Sequence, residues 1–375
     1  MRILYFNDAW AIWGGLERVL IEKMNYLADD GYEIYTITYN QGTHPFPYPF
    51  NPKVVHRDLN VVLHHQYKYH GLKRYYYKYQ LEKLLRHKIK SSVQEIKPDV
   101  VICPRIDLVG YLLNIKGNIP LIYESHSSCK WITFEYDRPM WRIKRFLFKQ
   151  RIKKVQMVVA LTEGDAIEWR KITKRVSVIP NVVNLNKTGK YSDCLSKSVI
   201  FVGRITEQKD INSLLCIWSI VQQRYPEWHL HIFGEFMNKE EKKDMNIKIA
   251  QQNICMHEPT SQIIDRYLNS SILLMTSVYE PFGLVLPEAM SCGLPVVAFD
   301  CPYGPADIIT DGQDGFLIKN RNINAFAEKV CLLIEDHELR KTMGQAGVLS
   351  AQRYDASRVM LCGRNYLSIL PYKCE

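Results

Sequence analysis

Short β-branched runs alternate with longer stretches of helical periodicity along the whole chain, and no other feature limits its possible folds so strongly. Strands are predicted at 2–7, 33–39, 53–57, 99–103, 120–124, 156–160 and 175–179, with helices at 16–30, 72–96, 138–154 and 163–171. The scheme then repeats, with strands near 198–203, 229–234, 272–276, 295–299 and 315–318. Helices are predicted between these at 209–224, 239–251, 261–268, 284–292, 322–335 and 337–352. Many of the strand segments are apolar throughout, as strands covered on both faces are. Such alternation implies doubly wound parallel sheets. A chain of 375 residues is longer than one hydrophobic core usually organises. The expectation is therefore an α/β protein of two Rossmann-like domains, 1–185 and 186–355, followed by a last helix at about 356–375. The boundary should fall near 183–197, where Asn184-Leu185-Asn186-Lys187-Thr188-Gly189 interrupts the pattern. Two such domains would face each other across a cleft at their strand C-termini, the usual ligand site of open α/β sheets.

Three loops hold the residue types from which a binding site can be built. Gly14-Gly15-Leu16-Glu17 follows the first strand and opens a helix. Two glycines let backbone approach a ligand, and a helix N-terminus favours an anion, although a plain tight turn reads the same way. The fingerprint of dinucleotide enzymes, with its three spaced glycines and distal acid, is missing. At the start of the second half, Gly203-Arg204-Ile205-Thr206-Glu207-Gln208-Lys209 joins a strand to a helix. Arg204 as a planar fork and Lys209 as a point charge suit a diphosphate, the alternative being a solvated loop pair. Third, Glu280-Pro281-Phe282-Gly283-Leu284-Val285-Leu286-Pro287-Glu288 leads from a strand into a helix. Amides of Gly283, Leu284 and Val285 would point at an anion near the helix start, and Pro287 is tolerable in the first turns. Glu280 and Glu288 would then hold hydroxyls on either side of the phosphates, an arrangement suited to a nucleotide sugar.

These segments, with the surrounding EPFGLVLPEAMSCGLPVVAFD, resemble glycosyltransferase family 4, of the GT-B fold. The resemblance covers nearly the whole chain and is sharpest over 198–320. It implies that Arg204 and Lys209 neutralise the donor diphosphate, that Glu288 holds the ribose hydroxyls, and that Glu280 faces the donor sugar. It also implies that Gly15 brings its amide to the phosphates, that His126, just past a predicted strand, lies near the donor sugar and the acceptor hydroxyl, and that the last helix, about 356–375, crosses back to the first domain. A structural histidine is the competing reading of His126. The family retains anomeric configuration, by a front-side mechanism in which the leaving phosphate helps deprotonate the acceptor. The resembling members include several that act on UDP-hexoses or UDP-N-acetylhexosamines. Asp307 stands where their CPxGPxE-type loop has Glu, which loosens any inference about the sugar. The chain contains no Asp-x-Asp, so fixed cations would stabilise the leaving group without a metal or other cofactor. The expected donor is a UDP-sugar. The rivals are a GDP-mannose-dependent mannosyltransferase and a non-catalytic nucleotide-sugar or membrane-binding protein.

Charge names a further partner. Residues 1–185 hold 29 Lys and Arg against 17 Asp and Glu, whereas the remainder holds 20 against 22. The surplus is concentrated at 66–90, with eight basic residues and six tyrosines, and at 141–154, with seven basic residues and no acid. Basic heads interleaved with aromatic rings suit peripheral contact with an anionic leaflet, a solvated basic face being the alternative. Nucleic acid is not expected, since none of its usual recognition motifs occurs. A lipid-linked or surface-polysaccharide glycan is the expected acceptor. No apolar run of about 18 residues and no leader-like start is seen, so a cytoplasmic protein peripheral to the inner face of the membrane is expected. The ten cysteines lack metal-site spacing and read as reduced, mostly buried thiols.

Overall fold

The computed structural model describes residues 1–134, 142–236 and 253–361. They divide into two compact units. The first comprises Met1–Leu161, Asp165–Val182 and, among the described residues, 359–361; the second comprises Thr162–Gly164 and Val183–Arg358.

In the first unit, strands β1 (Arg2–Phe6), β2 (Glu33–Thr38), β3 (Val55–Asp58), β4 (Val100–Cys103), β5 (Leu121–Glu124), β6 (Met157–Ala160) and β7 (Val176–Val178) form one sheet. Its order is β3-β2-β1-β4-β5-β6-β7, and every pairing is parallel. The second unit arranges β8 (Ser198–Val202), β9 (His229–Phe233), β10 (Ile254–His257), β11 (Ile272–Met275), β12 (Val296–Phe299) and β13 (Gly315–Ile318) as β10-β9-β8-β11-β12-β13, again all parallel. Both sheets therefore carry a switch point, at β1/β4 and at β8/β11, where the winding direction reverses and loops open away from each other. β4, β11 and β12 are buried at every residue, as sheets covered on both faces require.

The helices that matter below are α1 (Gly15–Asp29), α2 (Gly71–Ile96), α3 (Ile106–Leu113), α4 (Cys129–Phe134), α5 (Arg142–Ile152), α6 (Glu163–Arg170), α7 (Ile211–Arg224), α8 (Ile263–Leu268) and α9 (Val285–Ser291), followed by three more that end at Ala351. Local chemistry starts several of them. Asp210 caps α7 by accepting from the Ser213 N–H at 3.1 Å, and Asn322 and Asp336 cap the helices that begin at Ile323 and His337.

The elements differ from the sequence reading in a few places, each with a reason. α3 was not anticipated because Ile106-Asp107-Leu108-Val109-Gly110 reads as neither period cleanly. Parallel pairing of β4 with β5 nevertheless demands a crossover between them. β10 was missed because it is an edge strand, only half buried along its length, and so lacks the continuous apolar run of its neighbours. The helix expected at 239–251 lies outside the described residues, as do 362–370 of the helix expected near 356–370, whose 356–361 are helical. Six of the eight described cysteines are buried, and all eight are free thiols. Among the described residues no helix is long and apolar enough to cross a membrane.

Candidate active site

The second unit gathers its polar side chains at the β8/β11 switch point. β8 ends at Val202, and Arg204 stands exposed two residues on, with no ion pair among the described residues. A short helical turn, Glu207–Lys209, then brings Lys209 back toward the sheet. Its Nζ lies 2.7 Å from Glu280 Oε2, with the two side chains only 15% and 11% exposed. The loops carrying them are tied together by backbone and side chain alike. The Val278 N–H donates to Gln208 O at 2.8 Å, and the Thr276 hydroxyl donates to Lys209 O at 2.9 Å. The lysine and the glutamate are thus held by loops bonded to each other.

Glu280 is held from the other side as well. Ser277 Oγ donates to the same Oε2 at 3.0 Å. The Glu280 N–H donates to Pro302 O at 2.7 Å, and the Glu280 carbonyl accepts from Tyr303 and Gly304 N–H at 3.0 and 2.9 Å. This packing leaves no room for a side chain at Gly304, where a Cβ would sit 1.8 Å from Phe282 O. Gly283, at φ +96°, turns the chain into α9 with a conformation that L side chains rarely adopt. α9 begins at Val285; the Leu286 N–H donates to Gly283 O at 3.0 Å and the Glu288 N–H to Leu284 O at 3.2 Å, so the Gly283, Leu284 and Val285 amides precede the first of these bonds. Glu288 is buried, 3% exposed, with the Tyr267 hydroxyl 3.4 Å from its Oε2. Gly304→Ala is expected to push the 281–284 turn outward and to destabilise this unit by about 1–3 kcal/mol, the usual cost of overpacking. A thermal melt checks this, and an unchanged midpoint would show that the turn yields freely.

Arg321 belongs to the same construction and was not found by reading the sequence. Its guanidinium donates to Ser277 O at 2.8 Å and Thr276 O at 3.0 Å, pairs with the Asp210 carboxylate, and lies 4.4 Å from the Phe299 ring centroid. It clips the Lys209 loop to the Glu280 loop from the end of β13. An arginine after a strand in a polar turn gives no local signal of that work.

In the first unit, Gly14 is extended (φ −136°, ψ 161°) and α1 starts at Gly15. A Cβ on Gly14 would come 2.6 Å from Glu17 Oε2, so the Glu17 carboxylate folds back over the glycine. His126 follows β5 by two residues, and its Nε2 is 3.5 Å from Glu124 Oε1. The same carboxylate oxygen is ion-paired with Lys23 of α1. Burial opposes ionisation of Glu124, but Lys23 and His126 outweigh it and hold the carboxyl down at about 2. Burial also lowers the His126 pKa, and Glu124 offsets only part of that effect.

The basic segments of this unit combine charge with exposed apolar surface. On α2, Leu72, Tyr75, Tyr76 and Tyr79 are exposed, while the buried residues all lie in its second half. Arg74 packs on the Tyr67 ring at 4.4 Å and Lys73 on Tyr69 at 4.9 Å. On α5, Phe148 and Ile152 pack inward, whereas Ile143, Phe146 and Leu147 face solvent beside Lys149 and Arg151. Trp141, part of the expected basic segment, lies outside the described residues.

Comparison with known proteins agrees across both halves. Residues 13–187 match the model of Glycosyltransferase Family 4, and residues 191–349 match that of Glycosyl transferases group 1. An uncharacterized glycosyltransferase of Haemophilus influenzae is 28% identical over 352 residues, 92% of this chain and 94% of its own. The amylovoran biosynthesis glycosyltransferase AmsD of Erwinia amylovora is 26% identical over 372 residues, 96% of this chain and 97% of its own. Among solved structures, a Staphylococcus aureus TarM mutant in complex with fondaparinux, alpha-GlcNAc-glycerol and UDP superposes at a TM-score of 0.77. It is 14% identical, over 99% of this chain and 100% of that one. Anabaena Alr3699/HepE in complex with UDP and glucose superposes at 0.75 with 19% identity, covering 98% and 99%. At such identities the likeness to these structures is one of fold.

Proposed function

Because the chain belongs to the family 4 glycosyltransferases, has the two-domain α/β GT-B fold and is related to enzymes of polysaccharide biosynthesis, we propose that it moves a hexose or N-acetylhexosamine from a UDP-sugar, with retention, to a lipid-linked or surface-polysaccharide glycan. The observation that supports this reading is the 2.7 Å contact of Lys209 with Glu280, which joins the loop after β8, where Arg204 also stands, to the loop after β11 that leads into α9 and Glu288. Two cations, uncapped amides and two carboxylates meet the needs of a diphosphate flanked by sugar hydroxyls. UDP in the TarM and HepE complexes favours uridine as the base.

In this reading Arg204 and Lys209 take the charge that develops on the departing diphosphate, and the amides of Gly283, Leu284 and Val285 add to it. Glu288 holds the ribose hydroxyls. Glu280 accepts from hydroxyls of the donor sugar and, by pairing with Lys209, keeps that ammonium aimed while the site awaits donor. Gly15 supplies a backbone amide to the phosphates, and His126 orients the sugar or the acceptor hydroxyl. The C1–O bond to the diphosphate breaks as the acceptor oxygen bonds to C1 on the same face. The acceptor proton passes to the leaving phosphate oxygen. Preorganised cations can bear this charge without a metal ion, so transfer is proposed to be metal-independent. α2 and α5 are proposed to hold the enzyme on an anionic membrane, on its cytoplasmic side.

The test is a panel of UDP-, GDP- and ADP-sugars with EDTA present, read by thermal shift and by slow donor hydrolysis. One UDP-sugar is expected to stabilise the protein and to be hydrolysed at a rate EDTA does not change. A GDP-mannose response would replace the donor, and loss of activity in EDTA would end the metal-free mechanism. Stabilisation without hydrolysis would favour a nucleotide-sugar-binding protein, and silence across the panel a membrane-binding one.

A further inference from the structure

The first unit contains a buried charge cluster of which the proposed transfer reaction uses only His126. Lys23, Glu124 and His126 have side chains 5%, 4% and 8% exposed, and one oxygen, Glu124 Oε1, faces both of the others. Burying a lysine and a glutamate is expensive, and such a pair is seldom kept for stability alone. The pair sits at the C-terminal end of β5, at the end of the sheet where ligands of such folds bind. His126 Nε2 is itself buried and, at 3.5 Å from the carboxylate, makes no hydrogen bond among the described residues. A shift of a few tenths of an ångström would bring it into hydrogen-bond range.

We propose that Glu124 and Lys23 are positioning residues that hold His126 as a neutral imidazole with its proton on Nε2, leaving Nδ1 as the acceptor for a substrate hydroxyl. The proposal rests on the donor-sugar or acceptor role given to His126 above. A carboxylate can only accept, so the ring nitrogen facing it must be the N–H one, and the other nitrogen carries the lone pair. Glu124 by itself would go further, since an unpaired buried carboxylate draws a second proton onto a neighbouring imidazole. Lys23 prevents this. Its ammonium cancels the carboxylate charge, so the ring is oriented without being protonated. Glu124 and Lys23 are the charged groups that act on the imidazole, one from β5 and one from α1. The direction of both pKa shifts agrees: the carboxyl is held ionised at about 2, and the imidazole is held below its ordinary value.

The experiment is imidazole nitrogen NMR on the labelled full chain, with the His126 signal assigned by its loss in His126→Gln, alongside transfer rates against pH. In the native protein His126 should stay a single Nε2–H tautomer, unprotonated, at neutral pH. In Lys23→Met its midpoint should rise by about one unit or more, the effect of one uncompensated charge at this range. The acid limb of kcat should rise with it while donor KM holds, and Lys23→Arg should restore the native profile. A folded Lys23→Met with unchanged His126 titration and unchanged pH profile overturns the proposal. If Lys23→Met does not fold, the double variant Lys23→Met with Glu124→Leu decides, because it removes the whole pair and leaves no buried charge behind. Mixed tautomers and a lowered kcat are expected there, and a native spectrum overturns the assignment. Full transfer by His126→Gln would also overturn it. The spectra need no substrate, so a chain that answers no nucleotide sugar yet shows the Lys23→Met shift would put the failure in the enzymatic reading instead.

Discussion

Glu280→Gln is expected to lower kcat for transfer by about 10²–10³-fold, the range seen when one preorganised electrostatic group is lost from an active site. The side chain keeps its shape and its Ser277 contact, so the fold should hold, with a lowered melting temperature because the half-buried Lys209 loses its partner. What changes is charge. Lys209 loses the anion that it faces at 2.7 Å, and in the role proposed for Glu280 the donor sugar loses an acceptor of full negative charge. The released lysine can still reach a diphosphate, so donor KM should move far less than kcat, which separates transition-state loss from uniform binding loss. Initial rates over a donor series, with a thermal melt, check both halves. Near-native turnover by a folded Glu280→Gln would remove this carboxylate from the catalytic account.

Converting Lys149, Arg151, Lys153 and Lys154 together to Gln is expected to release the protein from vesicles containing anionic lipid. Each basic group near such a surface contributes about 1 kcal/mol, so losing four should weaken binding by ~10³-fold. Arg151, Lys153 and Lys154 are exposed, and Ile143, Phe146 and Leu147 lie exposed beside them on α5, a combination that favours an interface over bulk water. Binding of the native chain should also fall with salt, because surface charges act over only about 8–10 Å at physiological ionic strength. Co-sedimentation with neutral and anionic vesicles reads this directly. Equal binding by native and substituted chains would make α5 an ordinary solvated surface and leave α2 as the remaining candidate.

Much of this molecule was legible in its residues because much of it is decided locally. A parallel strand covered on both faces must be apolar along its length, so segments such as Ile272-Leu273-Leu274-Met275 and Val296-Val297-Ala298-Phe299 could hardly be anything else. The loop after β11 was legible for a related reason. A glycine at positive φ, a proline tolerated early in a helix and a carboxylate at either end form one short stretch of chain, Glu280 to Glu288. Where local signals conflicted, the reading stopped. Gly110 within a Leu- and Val-rich run hid α3, and partial burial hid β10.

The sequence by itself therefore determined the two α/β sheets, the family, and which loops carry the charged and glycine residues of the candidate site. Only the tertiary structure decided who meets whom. Lys209 reaches Glu280 across 71 residues, Arg321 reaches Asp210 across 111, and Lys23 reaches Glu124 across 101. No spacing rule could have found those pairs, because an ion pair depends on distance in space, and that distance is set by strand order. β1 lies beside β4 and β8 beside β11, so loops far apart in the chain open at the same switch point. The residue types were written locally, but the long-range packing that excludes water from Lys23, Glu124 and His126 is what gives those side chains their chemistry.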